Sequence, residues 1–200
     1  AGAGDGGGSI RIPASYCGLF GLKPGRGRTP WGPQISEAMH GAAVQHVLTK
    51  TVRDSAAMLD ATHGAEHSSL FKIEHPQSPY LDIIQQPPKP LKIAFSTHSP
   101  IGTPISKDAI AAVQHTAKLL ESLGHTVVED TPPIDGMALA KDFITTWFSQ
   151  FSYVLENIKQ QHQAKNSDFE LDSLALAAFG KQTTALEYIH NLNNWGVYAT

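Results

Sequence analysis

Residues 4–28 read GDGGGSIRIPASYCGLFGLKPGRGR. Gly6, Gly7 and Gly8 leave consecutive backbone N–H groups with no side chain to shield them, and Ser9 follows directly. The pattern predicts a short helix over 9–18, with Ser9 as its cap, Pro13 near the first turn and Gly18 just beyond its end. A hydroxyl beside donors aimed at a developing oxyanion is what acyl transfer needs, and a helix start favours negative charge. Composition alone leaves a second reading open, a flexible tail ending in an ordinary cap serine. Asp5 and Arg11 flank the serine, and their pairing is expected to pin the glycine loop. Residues 19–22, LFGL, then read as a short buried strand, and 23–33, KPGRGRTPWGP, as turns.

Outward from this stretch the chain changes character. Ten of its 17 glycines lie within residues 1–32, where backbone must turn sharply or approach something closely. Asp5, Arg11, Lys23, Arg26 and Arg28 are the charges of residues 1–36, so the remainder is more acidic than the average. TVRDSAAMLDATHG, 51–64, predicts an amphipathic helix capped by Thr51 and ended by Gly64. Residues 76–104 hold seven of the 13 prolines and predict a long surface connection around a strand LKIAFS, 91–96. SKDAIAAVQHTAKLLESLG, 106–124, predicts a helix capped by Ser106, and HTVVED, 125–130, a strand. That order fits one right-handed crossover unit of a parallel sheet. Residues 135–200 look helical throughout, with Gly180 as the expected break.

Composition narrows the function classes. The 200 residues, 41% hydrophobic, suffice for a buried core and for one or two domains. Cys17 is the single cysteine, which excludes a disulfide scaffold and favours a reducing, cytoplasmic setting. A net charge of −3 argues against nucleic acid and anionic lipid as partners, and no apolar run approaches the roughly 18 to 20 residues of a membrane helix. The chain reads as soluble and globular. The opening AGAGDGGGS carries no methionine, and TTALEYIHNLNNWGVYAT keeps helical spacing to the last residue, so a piece of a longer protein, cut at both ends, is expected.

Other motif readings compete with acyl transfer. Gly2, Gly4 and Gly7 match a dinucleotide pattern, yet no strand is read before them and no acidic residue stands between Asp5 and Glu37 to hold a ribose. Ser9 fails the hydrolase elbow pattern because Arg11 stands where glycine is required. His63-Gly64-Ala65-Glu66-His67 spells a zinc-protease pattern, but Gly64 is expected to end the helix that would align both histidines. No metal or cofactor is expected. Lys23 and Lys50 are candidates for a base that activates a serine, with surface or backbone-capping roles the stronger expectation.

GDGGGSIRIPASYCGLFGLKPGRGR resembles the central signature of the amidase signature family, and the segments around 51–64 and 91–130 resemble the elements that follow it. The resemblance implies an α/β fold, a mixed β-sheet flanked by helices on both faces. Here it is expected to be incomplete because the N-terminal part is missing. It implies a single domain over 1–200, with 1–133 as signature and α/β core and 134–200 helical. Ser9 corresponds to the acylated nucleophile, the amides of Gly6, Gly7, Gly8 and Ser9 to the oxyanion hole, and Asp5 and Arg11 to residues that hold the loop. Cys17, Gly18, Lys23 and Pro24 correspond to signature positions read as structural.

The family mechanism is a Ser-cisSer-Lys relay in which a lysine deprotonates a bridging serine that activates the nucleophile, and an acyl-enzyme is then hydrolysed or passed to an amine. Both upstream groups precede the signature, so the chain alone is expected to be inactive. Ile12, Thr29, Pro30 and Trp31 resemble hydrolases of small or cyclic amides, with Trp31 a candidate wall of the substrate pocket. A glutaminase-type amidotransferase subunit and a non-catalytic scaffold are the alternatives. A small amide is the expected substrate, and a bare sheet edge is expected to associate with a second copy or with the missing N-terminal part.

Overall fold

The computed structural model describes residues 1–198, so the helical spacing expected to run through Ala199 and Thr200 ends outside the described residues. The chain divides into two compact units, Ala1–Pro88 and a second from Lys89 onward. The first holds β1 (Gly2–Asp5), α1 (Arg11–Tyr16), β2 (Phe20–Gly21), β3 (Val44–Thr49), α2 (Val52–Thr62) and α3 (Tyr80–Ile83). The second holds β4 (Lys92–Phe95), α4 (Lys107–Ser122), β5 (Thr126–Glu129), α5 (Gly136–His162), α6 (Leu171–Gly180) and α7 (Ala185–Tyr198). The α/β class is as expected, with antiparallel and parallel pairing both present. The pairings fall into two small sheets, one in each unit, because the parallel pair and the antiparallel ribbon share no strand.

In the first unit β3 is central. It pairs antiparallel with β1, placing Gly2 opposite Val47 and Asp5 opposite Val44, and with β2, placing Phe20 opposite Thr49. Neither β1 nor β3 is evident from the sequence. The glycines of β1 carry no side-chain pattern, so its strand conformation comes from pairing with β3. Within β3 the inward position 46 is a histidine, which breaks the apolar alternation. α2 packs on β3 through buried Ser55, Ala56 and Leu59, and the Thr51 hydroxyl caps it by accepting from the Asp54 N–H. α1 lies close against β2, and glycine at position 21 permits this. A Cβ there would stand 2.6 Å from the Ala14 Cβ and 3.0 Å from the Ile10 carbonyl oxygen. Ile10, fully buried beneath this contact, contributes about 1.5–3 kcal/mol by removal from water.

In the second unit β4 and β5 run parallel, Lys92 opposite Thr126 and Phe95 opposite Glu129, and α4 connects them as the strand-helix-strand reading anticipates. Ser106 caps α4 by accepting from the Ala109 N–H. The helical remainder breaks twice. α6 ends at Gly180, the expected point, but α5 also ends at His162, where Gln163 turns left-handed (φ 52°). A Cβ on Gly180 would overlap the Phe148 carbonyl, so this glycine allows close approach of α5 and α6. Thr146 and Asn191 join α5 to α7 by a buried hydrogen bond of 2.6 Å.

Candidate active site

The loop between β1 and α1 is organised by one carboxylate. Asp5 is fully buried at the end of β1. Its Oδ1 accepts from the Gly8 N–H at 2.7 Å, and its Oδ2 accepts from the N–H groups of Ile10 (3.2 Å) and Arg11 (3.4 Å). The Arg11 guanidinium adds a two-pronged contact, Nε to Oδ2 at 3.0 Å and Nη2 to Oδ1 at 3.2 Å. Lys23 Nζ stands 3.4 Å from Oδ1 and donates to the Ala42 carbonyl at 2.8 Å. Burial pushes the Asp5 carboxyl pKa up, but the Arg11 hydrogen bond, the Gly8 and Ile10 amides and the Lys23 charge outweigh it. The carboxyl is held well below the usual carboxylate range.

These bonds change the reading of Ser9 at helix α1. The expected cap at Ser9 is not formed. The helix begins at Arg11 with Ile10 in the N-cap position, without a side-chain cap bond, and Ser9 lies one residue earlier in a turn. The physical reason is that Asp5, reaching across from β1, accepts from the Ile10 and Arg11 N–H groups. Ser9 is exposed, as is Gly7, whereas Gly8 is buried with φ 118°. A Cβ at Gly8 would stand 2.6 Å from Ile12 Cδ1, so this position needs glycine for both conformation and space. The Gly8 N–H is directed at Asp5, which leaves the amides of Gly6, Gly7 and Ser9 without that commitment.

Basic residues after β2 hold the next segment against this loop. Arg26 Nε donates to the Gly41 carbonyl at 3.1 Å, beside the Lys23 bond to Ala42. Lys50 is exposed at the end of β3. Trp31 Nε1 donates to the Ala43 carbonyl at 3.1 Å, and its ring edge lies over Gly4. With Arg26, Thr29, Glu37 and Phe71 it lines a cavity of about 20 Å³, space for a water and not for an amide. The 39–43 segment carries no motif, and its part in the site is missed from sequence. A run of small residues beside one methionine is the only signal there.

The competing motifs resolve into packing. α2 ends at Thr62, so His63, Glu66 and His67 do not share a helix. His63 meets His75 and Tyr80 edge-on, with ring centroids 5.2 and 5.5 Å apart. His46 of β3 is buried, with Nε2 2.8 Å from the Ser55 hydroxyl, and burial pushes its imidazole pKa down. Among the described residues no helix is long and apolar enough to cross a membrane.

Comparison with known proteins places this geometry in context. The profile of the Amidase family matches residues 1–195. A 6-aminohexanoate-cyclic-dimer hydrolase from Pseudomonas sp. (strain NK87) is 37% identical over 145 residues, covering 70% of this chain and 29% of that protein. A solved 6-aminohexanoate cyclic dimer hydrolase, complexed with substrate, superposes over 100% of this chain and 42% of its own, with a TM-score of 0.92 and 29% identity. A bacterial aryl acylamidase of the amidase signature family shares the fold at a TM-score of 0.80 and 19% identity, over 96% of this chain and 40% of its own. The chain thus spans less than a third of the curated relative's length and under half of the solved ones. With the profile matched along nearly the whole sequence, the chain belongs to the Amidase family.

Proposed function

We propose that this chain carries the nucleophile half of a serine amidase site within a single amidase signature domain. Ser9 Oγ attacks the carbonyl carbon of a small linear or cyclic amide, and the N–H groups of Gly6, Gly7 and Ser9 receive the oxyanion. Collapse of the tetrahedral intermediate breaks the C–N bond and releases the amine, leaving an acyl group on Ser9 that water removes. Each well-aimed donor contributes about 2.7–4 kcal/mol to such a transition state. Asp5 and Arg11 hold the loop in shape, and the Asp5 carboxylate is the observation that carries the reading. It accepts from the N–H groups around Ser9 and so positions the loop without using the serine hydroxyl.

The proton of Ser9 needs an acceptor. Lys23 is turned toward Asp5 and Ala42, which argues against it as that base. The base in our reading is a lysine acting through a bridging serine, both from the remainder of the parent protein. The identity to a cyclic-dimer hydrolase supports a small amide substrate. The test is hydrolysis of a panel of linear and cyclic amides by the full-length protein, with mass spectrometry of the Ser9 peptide during turnover. An acyl adduct on Ser9, lost with Ser9→Ala, is expected, as is background-level hydrolysis by the 200-residue chain alone. Full activity of Ser9→Ala refutes the reading.

A further inference from the structure

The turn that follows the basic stretch is held in a costly conformation. Met39 and His40 both have φ of 51°, and Gly41 follows with φ of 77°, so two residues with side chains occupy the left-handed region in succession. Such backbone persists only where its surroundings fix it, and it concentrates at functional sites. The surroundings here are the signature stretch itself. Arg26 holds the Gly41 carbonyl, Lys23 holds the Ala42 carbonyl, and the same Lys23 ammonium lies 3.4 Å from Asp5 Oδ1. The side chain delivered by this turn reaches Gly6: a Cβ built there would stand 2.6 Å from Met39 Sδ and 3.5 Å from the Ala43 Cβ. Gly6 thus rests directly on the Met39 thioether.

We infer that Met39 is a positioning residue for the nucleophile loop, a seat that fixes the height of the Gly6 peptide and so the aim of its N–H. The inference rests on the amidase reading of Ser9. A thioether suits the place because it is soft and adaptable and fills an irregular gap against bare backbone. Lys23 connects the seat to the Asp5 anchor, so loop and turn are held from both sides.

The experiment is a double-mutant cycle on the full-length protein. It is read by kcat and KM on 4-nitroacetanilide and by the rate at which a fluorophosphonate, losing fluoride, phosphonylates Ser9. Gly6→Ala, whose methyl group must displace the flexible Met39 thioether, is expected to lower kcat about tenfold with KM little changed. Met39→Ala is expected to lower kcat about tenfold, because an unseated donor is misaligned rather than lost, and Met39→Leu to restore it. In the Met39→Ala background the further cost of Gly6→Ala is expected to shrink to about threefold or less, the signature of direct coupling. Equal cost in both backgrounds, or a Met39→Ala protein as active as wild type, overturns the inference. The second result stands even where Gly6→Ala does not fold. Absence of phosphonylation at Ser9 in the wild-type protein instead overturns the amidase reading, and the inference with it.

Discussion

Replacement of Asp5 by asparagine tests the organisation of the loop that carries Ser9 most directly. The two side chains have nearly the same shape, so the change removes the charge and converts one oxygen into a donor. Either orientation of the new amide is wrong. An NH2 group in place of Oδ1 faces the Gly8 N–H, now 2.7 Å away, and one in place of Oδ2 faces the N–H groups of Ile10 and Arg11. Lys23, only 25% exposed, loses its anionic neighbour. Removing one partner of a buried pair costs about 3–5 kcal/mol. Arg11 is 55% exposed and regains hydration, which draws the expected value for Asp5→Asn to the lower end, about 3 kcal/mol.

Urea denaturation of the full-length protein reads this as a lowered midpoint, by about 1 M for a slope of about 3 kcal/mol/M and by less for the steeper slope of a longer chain. Arg11→Gln leaves Asp5 with its backbone donors and Lys23, so its expected cost is about 1 kcal/mol. The pH dependence has a fixed sign. Because the folded carboxyl pKa is depressed, its stabilisation is fully present above the unfolded value of about 3.9 and is lost as pH falls from there through the folded value. Wild type and Asp5→Asn therefore differ most at neutral pH and converge in strong acid. An Asp5→Asn protein with an unchanged midpoint and unchanged phosphonylation of Ser9 would refute the claim that this carboxylate organises the loop.

The remaining predictions address other parts of the chain. His46→Gln keeps a hydrogen-bonding partner for Ser55 but cannot titrate. The wild-type imidazole pKa is pushed down by burial, so wild-type stability falls as pH drops below about 6.5 toward the folded value, and the variant loses that part of the slope in thermal melts between pH 5 and 7.5. Gly180→Ala drives a methyl group into the Phe148 carbonyl and is expected to cost about 1–3 kcal/mol, seen as faster proteolysis within 148–180. Ser106→Ala removes the cap of α4 for about 1 kcal/mol, measured by hydrogen exchange of the Ala109 amide.

What the sequence discloses depends on how local the determining interaction is. α2 and α4 are legible because cap, apolar spacing and stop signal all lie within one element, and the structure places Thr51 and Ser106 as their caps. The β4–α4–β5 order is legible for the same reason. β1 is not, since Gly2, Ala3 and Gly4 acquire strand geometry only by pairing with residues more than 40 positions away. The break at Gln163 also escapes reading, because glutamine carries no signal for a left-handed turn. Met39 and His40 pose the same difficulty more strongly, as their backbone is set by Lys23 and Arg26 from another segment.

Ser9 shows how a local rule can identify a residue and misassign its bond. Serine before a helix is a good cap, and the reading of 9–18 uses it so. A capping hydroxyl, however, accepts from the backbone, and that directs its lone pairs away from a substrate. Asp5 accepts from the Ile10 and Arg11 N–H groups instead, and as an ionised carboxylate it does so with the stronger, charge-assisted bonds. The same residue then draws in Arg11 and Lys23, which supply the compensation its burial requires. The loop therefore needs two residues where an ordinary helix start needs one: an acid that satisfies the backbone, and a serine that does not. In this division of labour Asp5 satisfies the backbone and leaves the exposed Ser9 hydroxyl outside the cap, and the proposed role of Ser9 as nucleophile rests on that arrangement.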